Sequence, residues 1–176
     1  RILSSASRLL CVPGSVIRIE YDPNRSSFIS LILYSNNVCC YVLHTGGVSI
    51  GSRICSYVDL SLPGLDNMPV LFQNGDSCFL CFVPNGTIFH SLESLPFSSG
   101  VFIRSAGTYG IVLKKFMRLR KAFVQLPSSS LRSFSFFCSL VKGIVSNELH
   151  YRVSFGKAGR RALLGNRPIV RGVAKN

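Results

Sequence analysis

Three strand-like runs at the start of the chain, each closed by turn residues, limit the fold more than any other feature. Residues 16–21 (Val-Ile-Arg-Ile-Glu-Tyr) alternate apolar and polar side chains. Asp22-Pro-Asn-Arg25 then makes a turn, because Asp and Asn side chains bond readily to nearby backbone. Residues 27–34 are apolar and β-branched, Ser35-Asn-Asn37 turns again, and residues 38–43 form the third run. Strands this short, repeated at roughly ten-residue spacing, predict a small all-β barrel. Another short strand is expected over 52–59, after a loop punctuated by Gly46, Gly47 and Gly51.

Leu62-Pro-Gly-Leu-Asp-Asn-Met-Pro69 is the clearest linker signal, with two prolines and a glycine. It divides the chain into a Ser-rich leading segment (1–15), a first domain (16–68), a second domain (69–155) and a C-terminal extension (156–176). In the second domain, strands are expected over 77–83 and 87–92, around Pro84-Asn-Gly86. Residues 111–126 fit two patterns. One is a basic amphipathic helix over 114–123. The other is a pair of strands, with Met117-Arg-Leu-Arg-Lys121 alternating and 122–126 leading into a hairpin turn at Pro127-Ser-Ser-Ser130, returned by 131–136. Phe134-Ser-Phe-Phe-Cys138 should supply core, and a short element holding His150 and Arg152 follows residues 144–147.

Charge is divided unevenly. Residues 1–100 carry five Lys or Arg against six Asp or Glu, a net of −1. Residues 101–176 carry fifteen against one, Glu148, a net of +14; the two sum to +13. Such asymmetry points to a polyanionic partner met mainly by the C-terminal half. An anionic membrane suits the pattern poorly, since the cations are spread through glycine-rich turns and not along one face of a long helix. The longest apolar stretch, 134–145, is too short to span a bilayer and is broken by Lys142 and Gly143.

The last twenty-one residues, 156–176, hold four glycines, a proline and six cations with no acid: Lys157, Arg160, Arg161, Arg167, Arg171 and Lys175. Glycine and proline interrupt the run too often for a helix or strand of ordinary length. Glycine lets backbone approach phosphates closely, while Arg forms bidentate contacts with them. Gly156-Lys-Ala-Gly159 is not a nucleotide loop, because the first glycine and the hydroxyl residue after the lysine are absent. An irregular, glycine-rich chain suits RNA, which offers shape, 2′-hydroxyls and splayed bases. Arg104-Ser-Ala-Gly-Thr-Tyr109 joins small residues to an arginine and reads either as a phosphate cradle or as a plain turn.

Enzymatic signatures are missing. His44, His90 and His150 lie in separate segments with no metal-binding spacing, and there is no GxSxG, Walker or GxGxxG pattern. Seven cysteines form an odd count with one adjacent pair, which does not suit a secreted disulfide scaffold. Cys78-Phe-Leu-Cys81 has no second pair at zinc-finger distance, so the cysteines read as small buried apolar residues. No metal or cofactor is expected beyond magnesium associated with RNA.

Gly156-Lys-Ala-Gly159, followed by Arg167-Pro-x-Val-Arg-Gly-x-Ala-x-Asn176, resembles the C-terminal domain of the universal large-subunit ribosomal protein L-two family. Arg18-Ile-Glu-Tyr-Asp-Pro-Asn-Arg25, Val83-Pro-Asn-Gly-Thr87 with Glu93, and Arg104-Ser-Ala-Gly-Thr-Tyr109 resemble it in the same order, so the likeness runs from about residue 16 to 176. It implies an all-β chain: an OB-like barrel, then an SH3-like barrel with a hairpin over 111–136, then an irregular basic extension whose loops close the second barrel and face RNA. It implies RNA contacts at Arg25, Arg104, Ser105, Gly107, Thr108, Lys157, Arg160, Arg161, Arg167, Arg171, Lys175 and Asn176, and a structural place for His90. The implied function is that of a non-enzymatic constituent of the large ribosomal subunit. It binds large-subunit rRNA near the peptidyl-transferase region, beside neighbouring ribosomal proteins, and supports assembly and subunit association. A non-ribosomal RNA- or DNA-binding module is the alternative, with a Cys/His metal-dependent enzyme behind it.

Two departures are visible. The family reads Arg-Arg-Tyr-Ile-Leu where this chain has Cys39-Cys-Tyr-Val-Leu43, so the first barrel should contact less phosphate. The family also has a basic arm before the first barrel and a glycine- and histidine-rich loop after the position of Asn176. The latter is expected to be disordered, lost or carried by a separate polypeptide, the last being favoured. Abundant Phe, Leu, Ser and Cys with little Lys points to an organellar copy, mitochondrial before plastid. The charge asymmetry predicts that replacing Arg167 and Arg171 together with Ala impairs large-subunit assembly more than replacing Arg18 and Arg25, as read by gradient sedimentation; equal or reversed effects would contradict it.

Overall fold

The computed structural model describes residues 12–57 and 72–173. The linker at 62–69 therefore lies outside the described residues, as do Lys175, Asn176 and most of the leading segment. The fold is all-β, with one six-residue α-helix.

Strands β1 (Gly14–Glu20), β2 (Ile29–Tyr34), β3 (Cys39–Leu43) and β4 (Arg53–Ile54) form an antiparallel sheet in the order β3-β2-β1-β4. Alternation decides which side is inside. Val16, Ile32, Tyr34, Cys40, Val42 and Ile54 form one buried cluster with Val48, while Arg18 and Leu33 face out. The β2–β3 turn closes on Asn37, which takes a left-handed φ of 61° while Tyr34 N bonds Val38 O at 3.0 Å. Asn tolerates that conformation better than most residues.

The strand expected over 52–59 is split. β4 completes the first sheet, whereas β5 (Ser56–Tyr57) pairs in parallel with β6 (Ser77–Phe79) and begins the second. Asp76 holds this handover in place, accepting Cys55 N at 2.8 Å and Gln73 N at 2.9 Å. Burial pushes the Asp76 carboxyl up, and those two bonds oppose the shift.

The second sheet curls as a half-barrel in the order β12-β11-β10-β7-β13-β6-β5. It adds β7 (Ile88–His90), β10 (Gly110–Phe116), β11 (Lys121–Gln125), β12 (Leu131–Ser135) and β13 (Ser139–Lys142), with the pair β8 (Leu92–Glu93) and β9 (Gly100–Phe102) beside it. Its core holds Phe79, Leu80, Phe89, Leu92, Val112, Val124 and Leu140, all fully buried. Phe134, Phe136 and Cys138 enter the same core, as their sequence suggested, and Phe134 meets Phe102 edge-on at 5.3 Å between centroids. Cys78 and Cys81 are free thiols within it, and burial pushes both upward in pKa. They behave as small apolar residues.

Residues 111–126 form strands and not a helix, but the turn is displaced. Residues 117–120 are the turn of the β10–β11 hairpin, with Arg120 left-handed at φ 49°, so Met117-Arg-Leu-Arg-Lys121 does not run as a strand. A second turn at 127–130 leads to β12, as expected.

Among its described residues the C-terminal extension holds no strand and one helix of six residues, α1 (Ala158–Leu163). That is shorter than the ordinary length its glycines and proline rule out; Ala, Arg and Leu at 160–164 are good helix formers free of proline. The helix stops at Gly165, left-handed at φ 89°, where Gly165 N bonds Ala162 O and Asn166 N bonds Arg161 O, a Schellman closure. Against expectation, the described residues of the extension do not close the second sheet. They add no strand to it, and Leu163, Ile169 and Val170 are 88%, 99% and 85% exposed.

Phe89 is fully buried in the larger core and pairs with Gly110 across β7 and β10. Phe89→Ala is expected to cost about 3–5 kcal/mol of unfolding free energy in urea titration, the range for a buried aromatic deleted into a cavity.

Candidate nucleic-acid interface

The first arginine of interest is aimed by a turn. Asp22 accepts Asn24 N at 2.9 Å through one carboxylate oxygen and Arg25 Nε at 2.6 Å through the other. The ion pair holds the Asp22 carboxyl below the usual range, with the Arg25 hydrogen bond as the largest cause. Asp22 is thus a turn former that also orients a guanidinium.

The chain after Arg25 is stitched to two distant segments. Ser26 Oγ accepts Ala106 N at 3.1 Å, and Ser26 O accepts the Asn147 amide at 2.7 Å. Phe28 N bonds Ser146 Oγ at 3.1 Å, and Ser146 N bonds His44 O at 3.0 Å. Thr45 and Val145 form a β-bridge, and Thr45 Oγ1 meets His90 Nε2 at 2.8 Å. His90 is fully buried, with Ser91 Oγ at 2.9 Å from its other nitrogen, so it joins the two halves.

The loop at 104–109 closes on itself and on this seam. Thr108 Oγ1 donates to Ser105 O at 2.7 Å; Gly107 N bonds Val145 O at 3.1 Å and Val145 N bonds Thr108 O at 3.2 Å. Gly107 is left-handed at φ 69°, and a Cβ there would lie 3.1 Å from Glu148 Cα. Glycine is needed for this approach. Backbone docking brings the Arg25 and Arg104 loops together: Arg104 feels burial first and the Arg25 charge second, both lowering its pKa. Arg104 is exposed, whereas Arg25 is half-buried and paired with Asp22, so the neighbouring loops place two guanidiniums on this surface.

Of the other expected contacts, Ser105 and Thr108 serve the loop's internal geometry. Lys157, Arg160, Arg161, Arg167 and Arg171 lie on the exposed extension, whose backbone bonds reach no further than five residues along the chain. No contact within the described residues joins them to Arg25 or Arg104.

A second group of cations was not anticipated as a site. The β10–β11 hairpin presents Lys114, Arg118, Arg120 and Lys121, all exposed, on a stalk with no acidic residue. The signal was legible as five cations in residues 114–121, but helix and strand periods both fitted that run, which obscured its position at a tip.

The description "Ribosomal Proteins L2, RNA binding N-terminal domain" matches residues 1–56, and "Ribosomal Proteins L2, C-terminal domain" matches residues 73–176. The chain belongs to the ribosomal protein L2 family. Within that family it is 37% identical over 164 residues to the large ribosomal subunit protein uL2c of Psilotum nudum, covering 93% of this chain and 55% of the relative. It is 38% identical over 165 residues to uL2 of Mycoplasma pneumoniae, covering 94% and 54%, and 37% identical over 177 residues to uL2 of Orientia tsutsugamushi, covering 100% and 60%. The chain thus spans somewhat over half the length of these L2 relatives.

Two glycines separate the interface from simple backbone strain. Gly51 is also left-handed, at φ 85°, but a Cβ there would meet nothing within 4 Å. Gly51→Ala should cost about 1 kcal/mol, the left-handed penalty alone. Gly107→Ala should cost about 2–3 kcal/mol and also weaken RNA binding in filter assays, since it pushes the arginine loop off residue 148.

Proposed function

We propose that this chain is a structural constituent of the large ribosomal subunit, binding large-subunit rRNA near the peptidyl-transferase region and supporting assembly and subunit association. It acts by binding and not by catalysis. One observation carries the reading: an L2-family chain folds so that the Arg25 and Arg104 loops, far apart in sequence, are joined by the Ser26–Ala106 bond in a chain whose residues 101–176 carry fifteen cations against one acid.

RNA contacts fall on Arg25 and Arg104 across the seam, with Ser105, Gly107 and Thr108 shaping the loop backbone for phosphate approach. Lys157, Arg160, Arg161, Arg167, Arg171, Lys175 and Asn176 form a second, extended contact. The exposed Leu163, Ile169 and Val170 support this, because a segment that buries nothing against its own chain gains its packing from a partner. The working units are a first domain over 16–68 and a second over 69–155, joined through the seam. Neighbouring ribosomal proteins complete the partner set, and the mitochondrial ribosome is the proposed location on the strength of composition.

Purified chain should bind an rRNA fragment with log K falling steeply against log [salt], at a slope equivalent to at least about six phosphates. The chain should also sediment with the large subunit in organelle lysate at moderate salt. A slope equivalent to fewer than about three phosphates, or exclusion from the large-subunit fraction, would contradict the proposal.

A further inference from the structure

The β10–β11–β12 hairpins have an outer face that the seam and the extension leave unused. Ala122 and Val124 are fully buried, so Lys121, Phe123 and Gln125 point the other way. The register sets Phe116 opposite Lys121, Lys114 opposite Phe123 and Ile111 opposite Gln125 on one side. Ser135, Ser133 and Leu131 stand opposite the same three residues on the other. Three neighbouring strands thus present one ordered surface.

Its chemistry alternates. Phe116 and Phe123 are 37% and 38% exposed and meet edge-to-face at 5.2 Å between centroids, with Lys114 Nζ 5.3 Å from the Phe116 ring. Arg118 and Arg120 rise from the turn at one end. At the other end, the face opens into a groove of about 270 Å³ lined by Tyr109, Gln125, Leu126 and Pro127, next to the Arg104 loop. No Asp or Glu occurs anywhere between residues 104 and 147. Isolated exposed apolar side chains need no explanation, but aromatic rings interleaved with unopposed cations on one sheet face do. The charge selects an anionic partner, and the rings offer π-faces on which unpaired bases stack whatever their sequence. From Gln125 to Lys121 the strand is about 13 Å long at roughly 3.3 Å per residue, room for a short single-stranded stretch and not for a duplex groove.

We propose that this outer face binds an unpaired RNA strand, with bases stacked on Phe116 and Phe123 and phosphates on Lys114, Lys121, Arg118 and Arg120. The groove takes a further nucleotide, whose ring lies against Tyr109 and whose polar edge meets the Gln125 amide. The inference rests on the reading of the chain as an RNA binder and specifies the kind of RNA and a second site remote from the extension.

The test uses the full chain with two probes, a short fluorescent oligouridylate and a fully paired RNA hairpin. Phe116→Leu with Phe123→Leu keeps apolar bulk but removes the rings; its thermal midpoint should match that of the parent chain, because both side chains face solvent. Oligouridylate affinity should fall at least about tenfold with the salt slope unchanged, and hairpin affinity less than about threefold. Lys114→Gln with Lys121→Gln should instead lower the oligouridylate salt slope by roughly two phosphate equivalents. A parent chain that binds both probes while the Phe variant is indistinguishable from it overturns this inference and leaves the RNA reading standing. Binding to the paired hairpin with none to oligouridylate does the same, as does a Phe variant that loses affinity only for phosphatidylserine vesicles. A parent chain that binds neither RNA overturns both readings.

Discussion

The four residues 144–147 hold the molecule's working surface together. Ile144 O accepts Gly46 N, Val145 bridges Thr45 and bonds both Gly107 and Thr108, Ser146 links His44 and Phe28, and the Asn147 amide reaches Ser26. Each of these groups sits in or beside buried structure, where an unmade backbone bond costs more than a made one returns. One short segment thereby satisfies loops from both sheets. It fixes their relative position by hydrogen bonds that any side chain could support, and by a few that only Ser146 and Asn147 can.

Two cations, Arg25 and Arg104, lie on loops docked at that seam. The turn at Asp22 holds the Arg25 guanidinium by an ion pair, and Gly107 lets the Arg104 loop lie against the backbone of Glu148. Burial, and after it the Arg25 charge, lowers the pKa of Arg104, while Arg25 itself pairs with Asp22 at 2.6 Å.

Much of this was legible locally. The turn at 22–25, the buried Phe134, Phe136 and Cys138, and the structural place of His90 all follow from residue patterns, or from a resemblance carried by those patterns, whereas a bulge after Val16 breaks the alternation of β1 and leaves Ile17 and Tyr21 exposed. Residues 158–163 hold a helix of only six residues, since flanking glycines leave room for no more. Other features failed for identifiable reasons. Residues 114–121 satisfy both a helical and a strand period, so the turn at 117–120 was misplaced until pairing with 121–125 chose the register. The strand expected over 52–59 was divided because Asp76, a distant carboxylate, captures the Cys55 amide at the junction.

Composition and short-range pattern alone determined that this chain is built of strands and that residues 101–176 carry fifteen cations against one acid, Glu148. These properties are sums over residues or runs within a turn or two, and need no knowledge of what lies across the fold. Only tertiary structure decided which cations share a surface. Arg25 and Arg104 meet because backbone bonds at 144–147 draw their loops together, and Phe116 meets Phe123 because β10 and β11 pair in one register. Such proximity depends on long-range hydrogen bonding and burial, which no local pattern encodes.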